Sequence, residues 1–306
     1  MNTMAAHLEE YLRLRRALGF KLAWPGHVLP QFVTWLEATG SETITTEAAI
    51  TWTRLSTSAH PITLSHRLGA VRGFARYLRT IDPATEIPPI GLFGKQQRPA
   101  PYIYSPEEIE RLLQAARQLH PPLRAATYEA LFGLLAVSGM RLGEALALGR
   151  DDVDFTDALV RIRHAKFDRD RLVPLHPSAT RALRGYAVRR DRLSPKPRPD
   201  TFLISSTGTA LRDSTVHATF LILLTCAGLP TATGSRPRIH DLRHSFVVNT
   251  FINWQHDGVD IASVLPVLST YLGHVSPAST YWYLSAVPEL MQLAAAGLEL
   301  RFEDQS

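Results

Sequence analysis

A proline-rich stretch in the first third of the chain most constrains how it can fold. Residues 82–101, DPATEIPPIGLFGKQQRPAP, contain five prolines and two glycines. Proline has no amide N–H to donate and glycine loosens the backbone, so a regular helix or strand cannot run through this stretch. The chain, at 306 residues, is also long for one ordinary core. We therefore predict two domains, residues 1–82 and 102–306, joined by an extended linker over 83–101.

Hydrophobic periodicity in the first region predicts helices. Apolar residues recur at helical spacing in four segments, at about 6–18, 27–38, 46–56 and 61–80. The last segment has an apolar stripe, and the neighbouring face carries arginines at Arg72, Arg76 and Arg79. Taken alone, these arginines fit a solvated helix flank as well as a contact with a DNA backbone.

The second region begins as helix and then changes period. SPEEIERLL has a capping box and a proline in its first turn, a strong signal for a helix start. Two further helices are predicted at 123–138 and from MRLGEALAL. ALVRIRHA and RLVPL alternate around the turn KFDRDR and predict a hairpin, and TFLIS predicts another short strand. Further helices are predicted at about 177–192, 214–227, 241–256, 260–272, 277–284 and 288–299. The fold class is therefore mainly α with a small antiparallel β-sheet.

Composition excludes some classes of protein and weakly favours one kind of partner. Cys226 is the only cysteine, which rules out a disulfide within the chain and a cysteine-rich zinc site. A signal peptide or a bilayer-spanning run is not expected, and the expected location is the cytosol. The net charge is +5, with eleven Lys and Arg against seven Asp and Glu in residues 1–100. Almost all the basic residues are arginine, which suits a phosphate-bearing partner, although a GC-rich genome gives the same bias.

An arginine at a helix start is the first candidate site residue. Arg141 follows Gly139 in LLAVSGMRLGEAL, and Glu144 lies one turn later on the same face. A guanidinium among apolar neighbours is costly unless a carboxylate or an anion compensates for its desolvation. The motif by itself favours a plain Arg–Glu pair, with an anion site as the alternative.

A cluster of basic residues is predicted at the start of another helix. RIHDLRHSF places His240, Arg243 and His244 within one turn, on a face that could donate several hydrogen bonds to one phosphate. Two histidines four residues apart could also bind zinc, but no third ligand or HExxH glutamate accompanies them, so a metal site is less favoured. A solvent-exposed basic helix start is the remaining interpretation.

Three more side chains are candidate site residues. Lys166, in the predicted hairpin turn, could protonate a departing alkoxide, although lysine is common in exposed turns. His274 follows Gly273, and Tyr283 lies nine residues further on. Singly, each fits ordinary packing. Together, the order arginine, lysine, His-x-x-Arg, histidine and tyrosine along the chain is much harder to explain by packing.

On these motifs the sequence resembles the tyrosine recombinase, or phage integrase, family. SGMRLGEALAL is similar to the family's first-arginine motif, IHDLRHSFV to its His-x-x-Arg motif, and LGHVSPASTYWYL to its histidine-to-tyrosine motif. The resemblance covers about residues 105–290 with specific motifs and is looser over 6–80, where it rests on YLRLRRALGF and the four-helix pattern. Tyr281, two residues before the expected nucleophile, departs from the family pattern and adds a second candidate hydroxyl.

The resemblance implies a catalytic site and a reaction. Its residues are Arg141, Lys166, His240, Arg243, His274 and Tyr283, with Glu144 and His244 supporting them. The resemblance implies that Tyr283 attacks a DNA phosphodiester, that Lys166 protonates the leaving 5′-oxygen, and that the arginines and histidines bind the phosphate oxygens. Because the bond energy would be kept in a protein–DNA ester, neither ATP nor a metal ion is expected, and no cofactor is predicted.

The resemblance also implies two domains with different roles and duplex DNA as the partner. Residues 1–82 would form a four-helix, SAM-like core-binding domain and residues 102–306 a tyrosine recombinase catalytic domain. The expected partner is duplex DNA with specific recombination sites, bound by a homo- or hetero-tetramer associated with the nucleoid. The segment 288–299 would dock on a neighbouring protomer or pack on its own domain. Expected DNA contacts are Arg72, Arg76, Arg79, Lys95 and Arg98.

Three other functions share parts of this pattern. A type IB topoisomerase uses the same chemistry but rejoins the original strand, and the looser N-terminal resemblance and short chain favour a recombinase over it. A DNA-binding regulator that does not cleave could use the same fold. A metal-dependent hydrolase is the third alternative.

Overall fold

The structure is a computed structural model that describes residues 3–56, 60–94, 100–165, 169–194, 200–231, 236–273 and 280–283. The chain divides into two compact units, Met1–Pro99 and Ala100–Ser306. The fold is mainly helical, with a small three-stranded antiparallel sheet. None of the helices within the described ranges is long and apolar enough to cross a membrane.

The described part of the first unit contains four helices. They are α1 (Met4–Ala17), α2 (Ala23–Ala38), α3 (Thr46–Arg54) and α4 (Pro61–Leu78). The side-chain oxygens of Thr3 and Thr45 accept amide N–H groups at the starts of α1 and α3, which satisfies donors that lack a partner in the helix. The apolar stripes meet in one core, in which Phe32, Leu36 and Phe74 are fully buried.

The segment that follows α4 is bonded to the first unit. The amide of Glu86 donates to the carbonyl of Ile44 at 2.7 Å. Arg72 donates from Nε and Nη2 to the carbonyls of Pro88 and Pro89, both at 2.7 Å. The first half of the predicted 83–101 linker therefore lies against the helices of this unit, and residues 95–99 lie outside the described ranges.

The second unit combines helices with the sheet. Its helices are α5 (Pro106–Arg117), α6 (Pro122–Ser138), α7 (Leu142–Ala147), α8 (Pro177–Leu193), α9 (Asp213–Cys226), α10 (Ile239–His256) and α11 (Ile261–Leu272). Its strands are β1 (Val153–Asp154), β2 (Leu159–Ala165) and β3 (Arg169–Pro174), in the order β1-β2-β3. The β2–β3 pair is antiparallel, with Leu159 opposite Pro174, and it forms the predicted hairpin. The predicted capping box is present at the start of α5.

The prediction of a strand at TFLIS is wrong. Residues 201–205 make only two isolated bridges, Gly149 with Thr201 and Ile204 with Ala210. The amide of Ile204 donates instead to the phenol oxygen of Tyr186 at 3.2 Å. The segment is apolar because it fills the core beneath α8, and burial alone gives a loop the composition of a strand.

Two helices that lead into the site end at left-handed glycines. α6 ends at Gly139, with φ +59°, and α11 ends at Gly273, with φ +65°. A glycine at this position stops the helix and leaves the last carbonyl groups without helical partners. Those carbonyls accept hydrogen bonds from the arginines of the site. Of the predicted helix at 277–284, the structure describes 280–283, and these residues are helical; the segment 288–299 lies outside the described residues.

Candidate active site

Arg141 and Glu144 form a pair at the start of α7, as the sequence suggested. Arg141 donates from its amide to Glu144 Oε2 at 2.8 Å and from Nη1 to Oε1 at 2.7 Å. Its Nη2 donates to the carbonyl of Gly273 at 3.1 Å, which ties α7 to the end of α11. About a third of the Arg141 side chain, 34 %, stays exposed, so its guanidinium is held in place and is open to a ligand.

Arg171 is a site residue that sequence reasoning missed. It lies on β3 and donates from Nη2 and Nη1 to the two carboxylate oxygens of Glu144, at 2.7 and 3.1 Å, and from Nε to the carbonyl of Tyr271 at 3.0 Å. The signal was available in the strand RLVPL. Arg171 shares its face of β3 with the buried Val173 and Leu175, and a charge on the core face of a strand needs a buried partner.

Glu144 is shared between two arginines, which fixes its charge. Burial disfavours the ionised carboxyl, but the hydrogen bonds from Arg171 and from Arg141 outweigh burial and lower the pKa of Glu144 to about 2. The carboxylate therefore stays ionised throughout the neutral range. Since Arg171 already supplies a full positive partner, Glu144 does not require Arg141 for its own neutralisation.

This carboxylate should make the protein acid-sensitive. The pKa of Glu144 is lower in the folded chain than its usual 4.5, so its stabilising contribution is complete above 4.5 and is lost as the pH falls towards about 2. We expect the free energy of unfolding of Glu144→Gln to fall less steeply than that of the wild type across this interval. Chemical denaturation at a series of pH values measures it, with the exposed Glu37→Gln as control. Equal slopes would contradict the prediction.

Arg243 is buried at the centre of the site, with 2 % of its surface exposed. Its Nη1 donates to the carbonyl of Gly139 at 2.6 Å and its Nη2 to the carbonyl of Leu272 at 2.8 Å. These are the carbonyls at the ends of α6 and α11. Arg243 on α10 thus joins three helices, and the hydrogen bonds hold its guanidinium in a fixed orientation.

Gly273 is required by backbone conformation and by the approach of Arg171. Its φ is +65°, and an added Cβ would lie 2.8 Å from Arg171 Nη1. We expect Gly273→Ala to lower the free energy of unfolding by about 1–2 kcal/mol from the left-handed backbone alone, and by more as Arg171 is displaced. Gly69→Ala, in the middle of α4 with nothing within 4 Å, is the control and should be neutral or stabilising. Thermal or urea unfolding compares them, and equal effects would contradict the prediction.

His240 lies at the start of α10 with an exposed side chain. Desolvation by the surrounding protein and the positive charge of Arg243 lower the pKa of His240 to about 4. The imidazole is therefore neutral near pH 7. Its ring meets that of His244 edge to face, with centroids 4.7 Å apart.

Tyr283 contacts His244 directly. The phenol oxygen lies 2.7 Å from His244 Nδ1. Both residues are buried, at 3 % and 8 % exposure, and Tyr283 belongs to an apolar cluster with residues of α10 and α11. On the far side of the imidazole, Asp241 Oδ1 lies 4.0 Å from Nε2. Trp282 packs against both rings.

The electrostatics of Arg243 connect these residues. Desolvation and the charge of Arg141 lower the pKa of Arg243 to about 10, while Tyr283 and Glu144 act in the opposite direction. Each of these groups therefore lies within electrostatic reach of the Arg243 guanidinium. The structure brings together both predicted arginines, His240, Glu144, His244 and the predicted tyrosine. Tyr281, by contrast, is 51 % exposed.

Four predicted site residues lie outside the described ranges: Lys95, Arg98, Lys166 and His274. Their roles stay predictions. Among the arginines of α4, the side chains of Arg76 and Arg79 are exposed, whereas Arg72 holds the segment after α4. The DNA contact expected of these three residues also stays a prediction, and Arg72 has in addition a structural role.

The sequence profile of the phage integrase family matches residues 103–289, and the chain belongs to this family. It is a site-specific recombinase of the tyrosine recombinase type. The matched range contains the whole cluster around Arg243 and ends after Tyr283.

Relatives agree with this assignment, and solved structures share the fold. A putative integrase/recombinase, y4rB, of Sinorhizobium fredii is 45 % identical, and the match covers 100 % of both chains. The tyrosine recombinase XerD of Caulobacter vibrioides is 31 % identical over 75 % of this chain and 72 % of its own. Among solved structures, the Tn1549 transposon integrase in complex with transposon right end DNA has a TM-score of 0.66 at 14 % identity, covering 96 % of this chain and 98 % of that one. A lambda integrase tetramer bound to a Holliday junction has a TM-score of 0.64 at 16 % identity, covering 92 % and 77 %.

Proposed function

We propose that this recombinase cleaves and rejoins DNA strands through a covalent 3′-phosphotyrosine formed by Tyr283. One observation carries the proposal: the buried phenol of Tyr283 lies within electrostatic reach of Arg243, whose guanidinium is fixed beside that of Arg141. A phenol within electrostatic reach of a fixed guanidinium group suits in-line attack on a phosphodiester. The charge of the pentavalent transition state would then have donors already in position.

Both arginines would bind the phosphate, and each is held in place by different groups. Arg243 is oriented by two backbone carbonyls, and Arg141 by Glu144 and the carbonyl of Gly273. Guanidinium groups bind phosphate oxygens through charge-assisted hydrogen bonds, and fixed ones need little reorganisation as charge develops. Glu144 holds Arg141 without neutralising it fully, since Arg171 shares the carboxylate.

Three further residues would donate protons or hydrogen bonds to the phosphodiester. Lys166 would protonate the leaving 5′-oxygen, and His274 would donate to a non-bridging oxygen. His240, neutral in the DNA-free protein because its pKa is about 4, would donate one N–H. A bound phosphodiester would raise the pKa of His240, because an anion favours the imidazolium. No step requires a metal ion or a nucleotide.

Tyr283 is 3 % exposed in the described conformation, so DNA binding has to uncover it before attack. Burial would prevent side reactions in the DNA-free protein, because water and non-target phosphodiesters cannot reach the hydroxyl. Residues 1–82 would contribute the core-binding contacts with the duplex, through the exposed Arg76 and Arg79 among others.

The solved neighbours support a proposal for the partner and the setting. Solved neighbours include a XerH recombinase bound to its difH substrate and the Tn1549 integrase with transposon DNA. We propose specific recombination sites in duplex DNA as the substrate and integration, excision or transposition of a mobile element as the role. Strand exchange would use a tetramer, as in the lambda integrase structure on a Holliday junction, joined through the 288–299 segment.

The test is covalent trapping on a nicked suicide substrate that carries the recombination site. Cloning DNA that is covalently attached to the protein in cells, and sequencing it, identifies the site. We expect a protein–DNA adduct that forms at full rate in the presence of a chelator. An adduct confined to the metal-supplemented reaction would favour a metal hydrolase. Absence of an adduct would favour a DNA-binding regulator, and relaxation of a plain supercoiled plasmid without a site would favour a topoisomerase.

A further inference from the structure

We propose that His244 is the general base that takes the proton from Tyr283, an inference that rests on the proposed function. The contact between His244 Nδ1 and the phenol oxygen, at 2.7 Å, is the hydrogen bond a base must make with the hydroxyl it deprotonates. Both side chains are buried. A phenol ionises above neutral pH and is a weak nucleophile until a base accepts its proton.

The surroundings of His244 orient it for this task. Asp241, one turn earlier on α10, is 1 % exposed and faces Nε2 at 4.0 Å. That distance is longer than a hydrogen bond, but the negative charge favours a proton on Nε2 and so leaves the Nδ1 lone pair facing the hydroxyl. In other covalent catalysts, too, a carboxylate orients an imidazole, and the imidazole acts as the base for a nucleophilic hydroxyl. Arg238 pairs with the same carboxylate at 2.7 Å, which holds Asp241 in place.

His240 is the alternative base, and the geometry favours His244. His240 meets His244 edge to face, whereas it is His244 whose Nδ1 lies 2.7 Å from the phenol oxygen. The next residue on α10 before His244 is the phosphate-binding Arg243. Arg243 and His244 thus lie in one turn of α10, and the Tyr283 ring packs against the His244 imidazole.

The O–H bond of Tyr283 breaks and its proton passes to His244 Nδ1. The phenol oxygen bonds to phosphorus while the bond from phosphorus to the 5′-oxygen breaks, and that oxygen receives a proton from the acid assigned to Lys166. In rejoining, a 5′-hydroxyl returns its proton to that acid, and the His244 imidazolium returns its proton to the departing Tyr283 oxygen.

His244→Asn is the decisive variant, because the amide oxygen can accept the Tyr283 hydrogen bond but cannot take up its proton. We expect DNA binding to be unchanged and single-turnover cleavage of the suicide substrate to fall by about 10²-fold or more. His217→Asn, at an exposed histidine of α9, is the matched control and should cleave normally. Replacing Tyr283 by a fluorinated tyrosine of lower phenol pKa should restore cleavage in His244→Asn.

A substrate with a modified leaving group distinguishes the role of the base, His244, from that of the acid, Lys166. A substrate with sulfur in place of the bridging 5′-oxygen needs no protonation of its leaving group. It should rescue Lys166→Ala and should not rescue His244→Asn. Rescue of His244→Asn by the sulfur substrate, or failure of fluorinated tyrosine to rescue it, would overturn the base assignment, as would a wild-type rate for the variant.

The wild type supplies a test that does not depend on the variant's folding. With His244 as the base, fluorination of Tyr283 leaves the low-pH limb of the cleavage profile in place. If that limb moves with the phenol pKa, Tyr283 ionises unaided and the inference is wrong. The proposed function fails separately, if the wild type forms no adduct at all or forms it without Tyr283.

Discussion

Tyr283→Phe should abolish the covalent adduct and leave DNA binding nearly unchanged. The substitution removes one oxygen and keeps a ring that packs at 3 % exposure among residues of α10 and α11. Loss of the attacking atom should lower cleavage by about 10⁴-fold or more, the scale found for other catalytic nucleophiles. Loss of the hydrogen bond to His244 should cost only about 1 kcal/mol of stability. Denaturing gels of the suicide-substrate reaction measure the adduct, and gel shifts measure binding.

Tyr281→Phe is the matched control for this result. Tyr281 lies two residues earlier and is 51 % exposed, so its hydroxyl is open to solvent and is the competing candidate. We expect this variant to form the adduct at the wild-type rate. If Tyr281→Phe loses the adduct and Tyr283→Phe keeps it, the nucleophile has been assigned to the wrong residue.

Arg141→Ala should reduce cleavage by about 10²–10³-fold, because it removes a fixed donor to the transition state, with a smaller effect on DNA binding. Glu144 keeps Arg171 as its partner in this variant, so the fold should be little affected. Arg141→Lys should recover only part of the rate, since a lysine keeps the charge and lacks the two-pronged geometry. Single-turnover cleavage rates, with affinities measured in parallel, give both effects.

Arg243→Ala should lose cleavage at least as strongly and should also destabilise the chain. Its removal leaves the buried carbonyls of Gly139 and Leu272 without their donors, at a cost of about 1–3 kcal/mol for each. The fraction folded must therefore be measured before rates are compared. Arg117→Ala breaks exposed ion pairs on α5 and α6 and controls for the loss of one arginine. Normal cleavage by either Arg141→Ala or Arg243→Ala would remove that residue from the phosphate clamp.

The pairing of Glu144 with two arginines has a functional consequence. A carboxylate paired with Arg141 alone would weaken its attraction for phosphate, because the carboxylate competes for the same donors. Arg171 relieves this competition by donating to both carboxylate oxygens and to the carbonyl of Tyr271. The network thereby links β3, α7 and α11 around the phosphate clamp, and it explains why a glycine is needed at position 273.

The sequence by itself determined the family of the chain, most of its helices and the hairpin. Periodicity and capping signals gave the helices and the hairpin, because those patterns act over a few residues. The spacing of Arg141, His240, Arg243 and Tyr283 identified the family. The prediction for TFLIS was wrong because apolar composition indicates burial but does not indicate which group a backbone amide bonds to. The amide of Ile204 donates to the phenol oxygen of Tyr186, 18 positions away.

Only the tertiary structure decided what those side chains contact. Arg171 joins Glu144 from 27 positions away, and His244 meets Tyr283 across 39. Contacts at such separations leave no local pattern, since they depend on how β3, α10 and α11 pack. The burial of Tyr283 is likewise a property of the packed cluster, because a tyrosine beside a tryptophan is equally compatible with the surface or the core. Backbone conformation depends mainly on neighbouring residues, whereas the contact between His244 and Tyr283 exists only once the core has packed.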